Sequence, residues 1–381
     1  MTARHPFRLL RLILPLLALP ALIGCGGTGA PEPLSALALA AVADKPGVSR
    51  ERLARAVDAL FTADGVGQTR ALIVYRNGRV VAERYAPGYD PRTRFLGWSM
   101  AQTITGVMIG QLVADGRLRL DETAPVPSWQ RTGDPRGEIT LRQLLQMRSG
   151  LRHKEASAPR AQSDEIRMLF LDGRDDMAAW AEAQPLEAEP GRTFEYSTAT
   201  TLILADLAAR ALTESPDPAL RRKAVADYLQ TRLFDPAGMR SMVAEYDRAG
   251  TLIGSTMIHG TARDWGRFGE FLRQDGAVKG GQLVPSGWIG FMTKPSPRNR
   301  AYGAQAWLNR KPKEGQSSDP PMLFPDRGPA SLFACVGQGG QYVIVSPEQK
   351  LTVVRLGQTE AENRAALAAR LADVVALFPK R

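Results

Sequence analysis

The pentapeptide Trp98-Ser99-Met100-Ala101-Gln102 begins a stretch whose apolar residues recur at helical spacing. At the first turn of a helix, free backbone N–H groups and the helix dipole favour an alkoxide-like oxygen, so Ser99 is placed to act as a nucleophile. Gln102 lies one turn later on the same face, where a lysine would serve as the base. Glutamine takes no proton at neutral pH. Ser-x-x-Gln also fits a capping box without chemistry, so the spacing alone leaves both interpretations open.

A second polar cluster, Phe194 to Thr198, follows Pro190-Gly191 and precedes a helical pattern. A tyrosine at such a corner, Tyr196, presents its phenol to a cleft, and a lowered pKa would make it a base. The alternative is a buried tyrosine followed by Ser197 or Thr198 as the helix cap.

A third cluster, Gly337-Gln338-Gly339-Gly340-Gln341, precedes a strand pattern, so it is not a phosphate-binding loop, which would precede a helix. Its glycines allow close approach of a ligand to the backbone. The N–H of Gln341 then becomes a candidate second oxyanion donor beside the N–H of Ser99. A glycine-rich bulge is the structural alternative.

Other chemistries have little support in the composition. The three histidines, His5, His153 and His259, lie in no serine-triad context, and no Cys/His spacing suits a metal, so we expect neither metal nor cofactor. Cys335 lies in an apolar stretch and is expected to be packed rather than reactive. The net charge is +10, but the basic residues are scattered, and we expect no nucleic-acid partner.

The N-terminus predicts export. Arginines precede a short apolar run that ends at Leu22-Ile23-Gly24-Cys25, which resembles a bacterial lipobox. We therefore expect a signal peptide over residues 1–24, a lipid on Cys25, and a Gly-, Ala- and Pro-rich tether over 25–48. The expected location is a membrane surface facing the periplasm, with Gly26 favouring the outer membrane. An ordinary signal peptide or an uncleaved anchor is the alternative.

The remaining chain, residues 49–381, predicts one domain of the α+β class. Asn77-Gly78 between two apolar runs predicts a hairpin, and Pro347 to Lys350 separates a second strand pair. A helix is predicted before the first hairpin and another at the C-terminus, with helices dominating residues 99–250. Strands at both ends with a helical block between them favour an antiparallel sheet with an inserted helical region.

In order and spacing, these elements resemble the class C β-lactamase and penicillin-binding-protein type of serine hydrolase. The resemblance covers about residues 50 to 380 and is nearest to the branch of 6-aminohexanoate-dimer hydrolases and related esterases. It rests on Phe95 to Ala101, Ile139 to Leu151, Pro190-Gly191 with Tyr196-Ser197-Thr198, Thr261 to Gly269, and Gly340-Gln341.

The resemblance implies an antiparallel sheet flanked by the terminal helices, with the site between sheet and helical block. It implies Ser99 as the acylated nucleophile, Tyr196 as general base or acid, and the N–H groups of Ser99 and Gln341 as the oxyanion hole. Lining of the cleft by Trp98, Gly339 and Gly340 is expected as well.

Three positions depart from the family pattern. Gln102 replaces the motif lysine, Gln338 replaces a lysine or histidine, and Thr198 replaces an asparagine or serine. We expect either a slow hydrolase of esters or small amides, or a pseudoenzyme that binds an acyl or peptidoglycan-like ligand. A lysine from elsewhere, such as Lys154, would restore the missing base if it reached Ser99. The sequence does not indicate an oligomeric state.

Overall fold

Asn77 and Gly78 both have positive φ, 52° and 76°, as a tight hairpin turn requires. In the computed structural model they join β1, Gln68–Arg76, to the antiparallel strand β2, Arg79–Tyr85. The second predicted hairpin joins β10, Gln341–Ser346, to β11, Leu351–Gln358. Both hairpin predictions are confirmed.

The structure describes residues 33–312 and 322–380. The chain from Leu34 onward forms one compact unit. The predicted signal peptide, 1–24, and the predicted lipidation site, Cys25, lie outside the described residues. Within the described ranges, no helix combines the length and apolar character needed to cross a membrane.

The main sheet has the strand order β2-β1-β11-β10-β9-β8, and its paired strands are antiparallel. Its last two strands are β8, Trp307–Leu308, and β9, Phe333–Gly337. A second sheet, of order β3-β5-β4, is not predicted by the sequence because its strands are very short. Its strands are β3, Arg94–Leu96, β4, Val243–Ala244, and β5, Ile258–Thr261, and a separate ribbon pairs β6, Ala277–Val278, with β7, Gly281–Gln282.

The two terminal helices pack on each other along one face of the main sheet. These are α2, Arg50–Thr62, and α11, Arg364–Ala376. The side chains predicted to face inward from the last helix are all buried, which confirms its predicted orientation: Leu367, Leu371, Val374, Val375 and Phe378.

The opposite face of the sheet is covered by α9, Ala262–Arg273, and by the helical block. The block contains α3, Met100–Ala114, whose residues from Met100 to Leu112 are all buried. The sequence predicted one apolar stripe there, but α3 is enclosed on every side. The other helices are α4, Leu141–Leu145, α5, Asp164–Phe170, α6, Met177–Glu182, α7, Thr198–Leu212, α8, Pro218–Leu229, and α10, Trp288–Met292.

The sequence predicted a tether over residues 25–48, but residues 34–48 pack on the domain. They include a short helix, α1, Ala36–Ala40, in which Ala38 is fully buried. Val42 bridges Ala82 at the outer edge of β2, where main-chain hydrogen bonds continue the sheet. An uncovered strand edge exposes unpaired N–H and C=O groups, so this segment completes the domain rather than linking it. The packed chain therefore begins at Leu34, before the predicted boundary at Ser49.

Candidate active site

A strained turn carries the chain from β3 into α3. Trp98 has φ of 49°, a conformation that costs a non-glycine residue about 1–3 kcal/mol unless its surroundings impose it. The preceding Gly97 lies so close to Trp265 that an added Cβ would come within 2.3 Å of the indole. The Gly97 N–H also donates to the carbonyl of Ile258 on β5, at 2.9 Å. The small sheet and Trp265 thus fix the turn that presents Ser99.

Ser99 does not act as a helix cap. Its backbone is helical, with φ of −59° and ψ of −5°, and its side chain makes no capping hydrogen bond. The hydroxyl instead lies close enough to Tyr196 to act to lower the pKa of the phenol. The capping-box interpretation of Ser-x-x-Gln is therefore wrong, and the hydroxyl faces the tyrosine that the sequence singled out.

Gln102 retains one part of a lysine's role. Its Nε2 donates a hydrogen bond to the phenol oxygen of Tyr196 at 2.7 Å, and the side chain is buried. A lysine ammonium could make the same contact and would add a positive charge. The Ser99–Tyr196–Gln102 array therefore keeps its connectivity but is neutral.

The pKa of Tyr196 is raised well above its usual value. Burial of the ring is the main cause, and the nearby carboxylate of Glu155 raises the pKa further. The hydrogen bonds with Ser99 and Gln102 act in the opposite direction but do not compensate. Tyr196 therefore stays protonated at neutral pH, and the lowered pKa that a phenolate base requires is absent.

The start of α7 holds Tyr196 in place. Ser197 caps this helix by accepting a hydrogen bond from the N–H of Thr200. The ring of Tyr196 packs against Trp307 of β8, with centroids 5.4 Å apart, and meets Tyr302 edge-on. These contacts lock the ring, so the direction of the phenol is set by the fold.

Thr198 is occupied by a carboxylate. Its N–H donates to Glu155 Oε2 at 2.9 Å, and its hydroxyl donates to Glu155 Oε1. Oε2 also lies 2.6 Å from Nε2 of the buried His153. Thr198 therefore fixes Glu155 beside the tyrosine instead of facing a substrate.

The third wall of the cleft is the end of β9. Gly337 lies against the turn before Ser99, and an added Cβ would be 2.3 Å from the carbonyl oxygen of Gly97. The hairpin then turns through Gln338, Gly339 and Gly340, and the two glycines have φ of 70° and 76°. Close approach of the two backbones explains why glycine is required at position 337.

Gln341 does not lie where the sequence predicted it. It is buried on β10 opposite Gly337, and its side chain bonds the backbone of Gly357 and the carbonyl of Gln338. The cleft is lined by Gln338 rather than by Gln341. The N–H groups of Ser99 and Gln338 have no acceptor among the described residues, so Gln338 fits the role of second oxyanion donor.

Two other predicted cleft residues are also displaced. Trp98 is half-buried but does not line the cleft, because its backbone turns away before Ser99. Gly340 faces inward, where an added Cβ would meet the guanidinium of Arg355 at 2.7 Å. Gly339 does line the cleft, as predicted.

The cleft beside Ser99 has a volume of about 570 Å³. Sequence reasoning missed much of its lining, since those side chains come from short elements and connections far apart in the chain and share no distinctive spacing. Aromatic, acidic and basic side chains all contribute: Trp307, Met322, Glu155, Glu165, Glu360, Arg160 and Arg364.

Several candidates from the sequence lie elsewhere. His153 and His259 pair with Glu155 and Glu245, and neither lines the cleft. Lys154 is exposed and does not line it either. Cys335 is buried on β9, where burial raises the pKa of its thiol to about 12, as expected for a packed cysteine. Within the described ranges, no cluster of His, Cys, Asp and Glu could hold a metal ion.

The family described as Beta-lactamase matches residues 54–377. The chain therefore belongs to the Beta-lactamase family, which confirms the resemblance and the α+β fold predicted from the sequence. The fold and family are those of beta-lactamase-type serine hydrolases.

A 6-aminohexanoate-dimer hydrolase from Paenarthrobacter ureafaciens is 27% identical over 230 residues, which are 58% of this chain and 56% of that protein. The match thus spans little more than half of the relative's length. A family VIII carboxylesterase superposes with a TM-score of 0.60 at 16% identity, covering 84% of this chain and 96% of the other. A penicillin-binding-protein homologue from Caulobacter crescentus superposes with a TM-score of 0.56 at 16% identity, covering 84% of this chain and 97% of the other. These two structures show the fold alone.

Gly337→Ala tests the contact between β9 and the Ser99 turn. The new methyl group would meet backbone atoms that cannot rotate away, so β9 must move from Ser99. We expect at least a tenfold slower reaction of Ser99 with a fluorophosphonate probe, as about 1 Å of misplacement costs about 10²-fold. Gly290→Ala is the matched control, because an added Cβ there meets nothing within 4 Å. Equal labelling rates for the two variants would contradict the assigned contact.

Proposed function

We propose that this protein hydrolyses esters or small amides through an acyl-enzyme on Ser99. The observation that carries the proposal is the Ser99 hydroxyl, which makes no capping hydrogen bond and lies in the same cleft as Tyr196. It opens onto a cleft large enough for a small acyl substrate. The names of the relatives, a 6-aminohexanoate-dimer hydrolase and a carboxylesterase, support amides and esters as the substrate classes.

In this proposal the Ser99 oxygen attacks the acyl carbon, and the N–H groups of Ser99 and Gln338 stabilise the oxyanion. Tyr196 acts as a neutral hydrogen-bond donor and proton relay, because its raised pKa disfavours the phenolate. Gln102 orients the phenol through its amide N–H. The missing ammonium predicts slower turnover, since a positioned base contributes about 10²–10⁴-fold in rate.

A fluorophosphonate probe followed by peptide mass mapping tests the nucleophile. We expect the label on Ser99, because its hydroxyl faces the cleft and its N–H has no acceptor among the described residues. Ser99→Ala should remove both the label and ester hydrolysis while leaving the thermal unfolding temperature nearly unchanged. A folded protein without label on Ser99 would contradict the proposed acyl-enzyme.

Gln102→Lys tests whether the remaining site is intact. The ammonium would meet the phenol of Tyr196 where the amide now does, and its charge would lower the pKa of the tyrosine. We expect at least a tenfold rise in kcat/KM for a simple ester, because a positioned base contributes about 10²–10⁴-fold in rate. Gln102→Met, without a polar group, is the control. An unchanged kcat/KM in the lysine variant would indicate further decay of the machinery.

A second candidate function is that of a pseudoenzyme that binds an acyl or peptidoglycan-like ligand without turnover. The raised pKa of Tyr196 and the absence of a lysine in the described cleft favour this candidate. It differs from the hydrolase in one measurable respect. The pseudoenzyme would retain ligand binding when Ser99 is replaced by Ala and would show no burst of product before replacement.

We further propose export and lipid anchoring, with the domain facing the periplasm at the outer membrane. This rests on the charged and apolar N-terminal segment ending in Leu22-Ile23-Gly24-Cys25. In bacteria that process lipoproteins, we expect intact-mass analysis to find a chain that begins at Cys25 and carries acyl groups. A chain retaining residues 1–24, or an unmodified Cys25, would refute the anchor.

A further inference from the structure

The cleft contains one carboxylate that has no partner. Glu165, on the first turn of α5, is half-buried, lines the same cavity as Ser99 and Tyr196, and makes no hydrogen bond or ion pair among the described residues. The other carboxylates of the cleft are engaged: Glu155 by Thr198 and His153, and Glu360 by Gln358. An unpartnered, half-buried carboxylate lowers the stability of the fold. Such a group in a cleft is therefore a candidate for a functional role.

We propose that Glu165 is the proton acceptor that replaces the missing lysine, a role that rests on the proposed hydrolysis at Ser99. Among the carboxylates of the described cleft, Glu165 alone has no hydrogen-bond or ion-pair partner, so its oxygens are free to accept a proton. Gln102 carries no titratable proton acceptor. Tyr196 is held protonated, and no lysine among the described residues lines the cleft.

The charges around Glu165 tune it for this role. Burial raises its pKa to about 7, with a further contribution from the carboxylate of Glu155. Arg160 and His153 lower the pKa, but by less. A general base works best when its pKa lies near the operating pH.

The remaining charges near Glu165 have other partners or lie across the cleft. On its own helix, Asp164 accepts a hydrogen bond from the backbone of Lys154, and Arg167 pairs with Asp172. Glu360, in the segment that leads into α11, and Arg364, the first residue of α11, also line the cavity.

The proton balance closes in both half-reactions. In acylation, Ser99 Oγ bonds the acyl carbon while its proton passes to the Tyr196 oxygen, and the phenol proton passes to Glu165 across the cleft. The protonated Glu165 then returns the proton to the leaving oxygen or nitrogen as its bond to the acyl carbon breaks. In deacylation, Glu165 takes a proton from the attacking water, whose oxygen bonds the acyl carbon. Ser99 leaves and regains the proton by the reverse relay.

Glu165→Gln tests the assignment through the pH dependence of ester hydrolysis. In the wild-type protein, kcat/KM should rise tenfold per pH unit below about 7 and level off above it, since Glu165 must be ionised to accept a proton. The variant should lose this rise and about 10²-fold or more in kcat/KM at pH 8. Glu182→Gln is the matched control, because Glu182 also has a raised pKa, of about 8, but lies on α6 away from the cleft.

Folding is checked on the same samples. Because the pKa of Glu165 is raised from 4.5 to about 7 on folding, the folded state loses stability as the pH rises from about 4.5 to about 7. Above about pH 7 this loss is complete. Glu165→Gln should therefore unfold at a higher temperature than wild type at pH 8, and at a similar temperature at pH 4. Glu165→Asp, which keeps the carboxylate, should retain the pH-dependent rise at a lower rate.

The outcomes separate the two proposals. An active wild type whose rate and pH profile survive in folded Glu165→Gln overturns the role of Glu165 and leaves the hydrolase intact. If the wild type is labelled at Ser99 but Glu182→Gln loses the rise of kcat/KM with pH as fully as Glu165→Gln does, the role of Glu165 is also overturned. A wild type without label or turnover overturns both the hydrolase and its base.

Discussion

The close contact between Gly337 and Gly97 is the constraint on which this site depends. Gly337 is the last residue of β9, which lies between β10 and β8 in the main sheet, and Gly97 belongs to the turn that leads from the small sheet into α3. With no side chain between them, the sheet and the helical block meet backbone to backbone. Ser99 lies two residues after Gly97, and Gln338 follows Gly337. This one contact therefore brings the proposed nucleophile and the N–H groups of Ser99 and Gln338 to one cleft.

A buried arginine supports that contact from behind. Arg355 on β11 is fully buried, and it donates to the carbonyls of Gly339 and Gly340 at 3.2 and 2.9 Å and to the hydroxyl of Thr359 at 2.9 Å. No carboxylate pairs with it among the described residues. Burial lowers its pKa to about 10, so it remains charged at neutral pH. The hairpin turn that lines the cleft is thus anchored by a cation bound to backbone carbonyl oxygens, whose dipoles replace a counter-ion.

Local sequence signals predicted the helices and strands, whereas the residues that face Ser99 depend on how distant strands and helices pack together. Asn77-Gly78 dictates a hairpin by its backbone preferences, and the inward face of α11 follows from spacing alone. The family pattern also brought Ser99 and Tyr196 together correctly. It misplaced Gln341 because the residue that faces Ser99 depends on where the β9–β10 hairpin turns, and strand register is not local information. Glu165 went unnoticed because its position on the short helix α5 acquires meaning only when tertiary packing places that helix beside the cleft.

Charge, more than hydrogen bonding, distinguishes this cleft from one that contains a lysine. Gln102 preserves a contact worth about 1 kcal/mol, whereas an ammonium about 4 Å from a phenolate would contribute about 4 kcal/mol at an effective dielectric constant near 20. That difference of about 3 kcal/mol corresponds to about two units of tyrosine pKa. Burial and the nearby Glu155 favour protonated Tyr196, and the hydrogen bond from neutral Gln102 does not overcome them. A neutral phenol can accept a proton only while it gives up its own. Chemistry at Ser99 therefore requires a proton acceptor beyond the tyrosine, and the carboxylates of the cleft are the groups that can supply it.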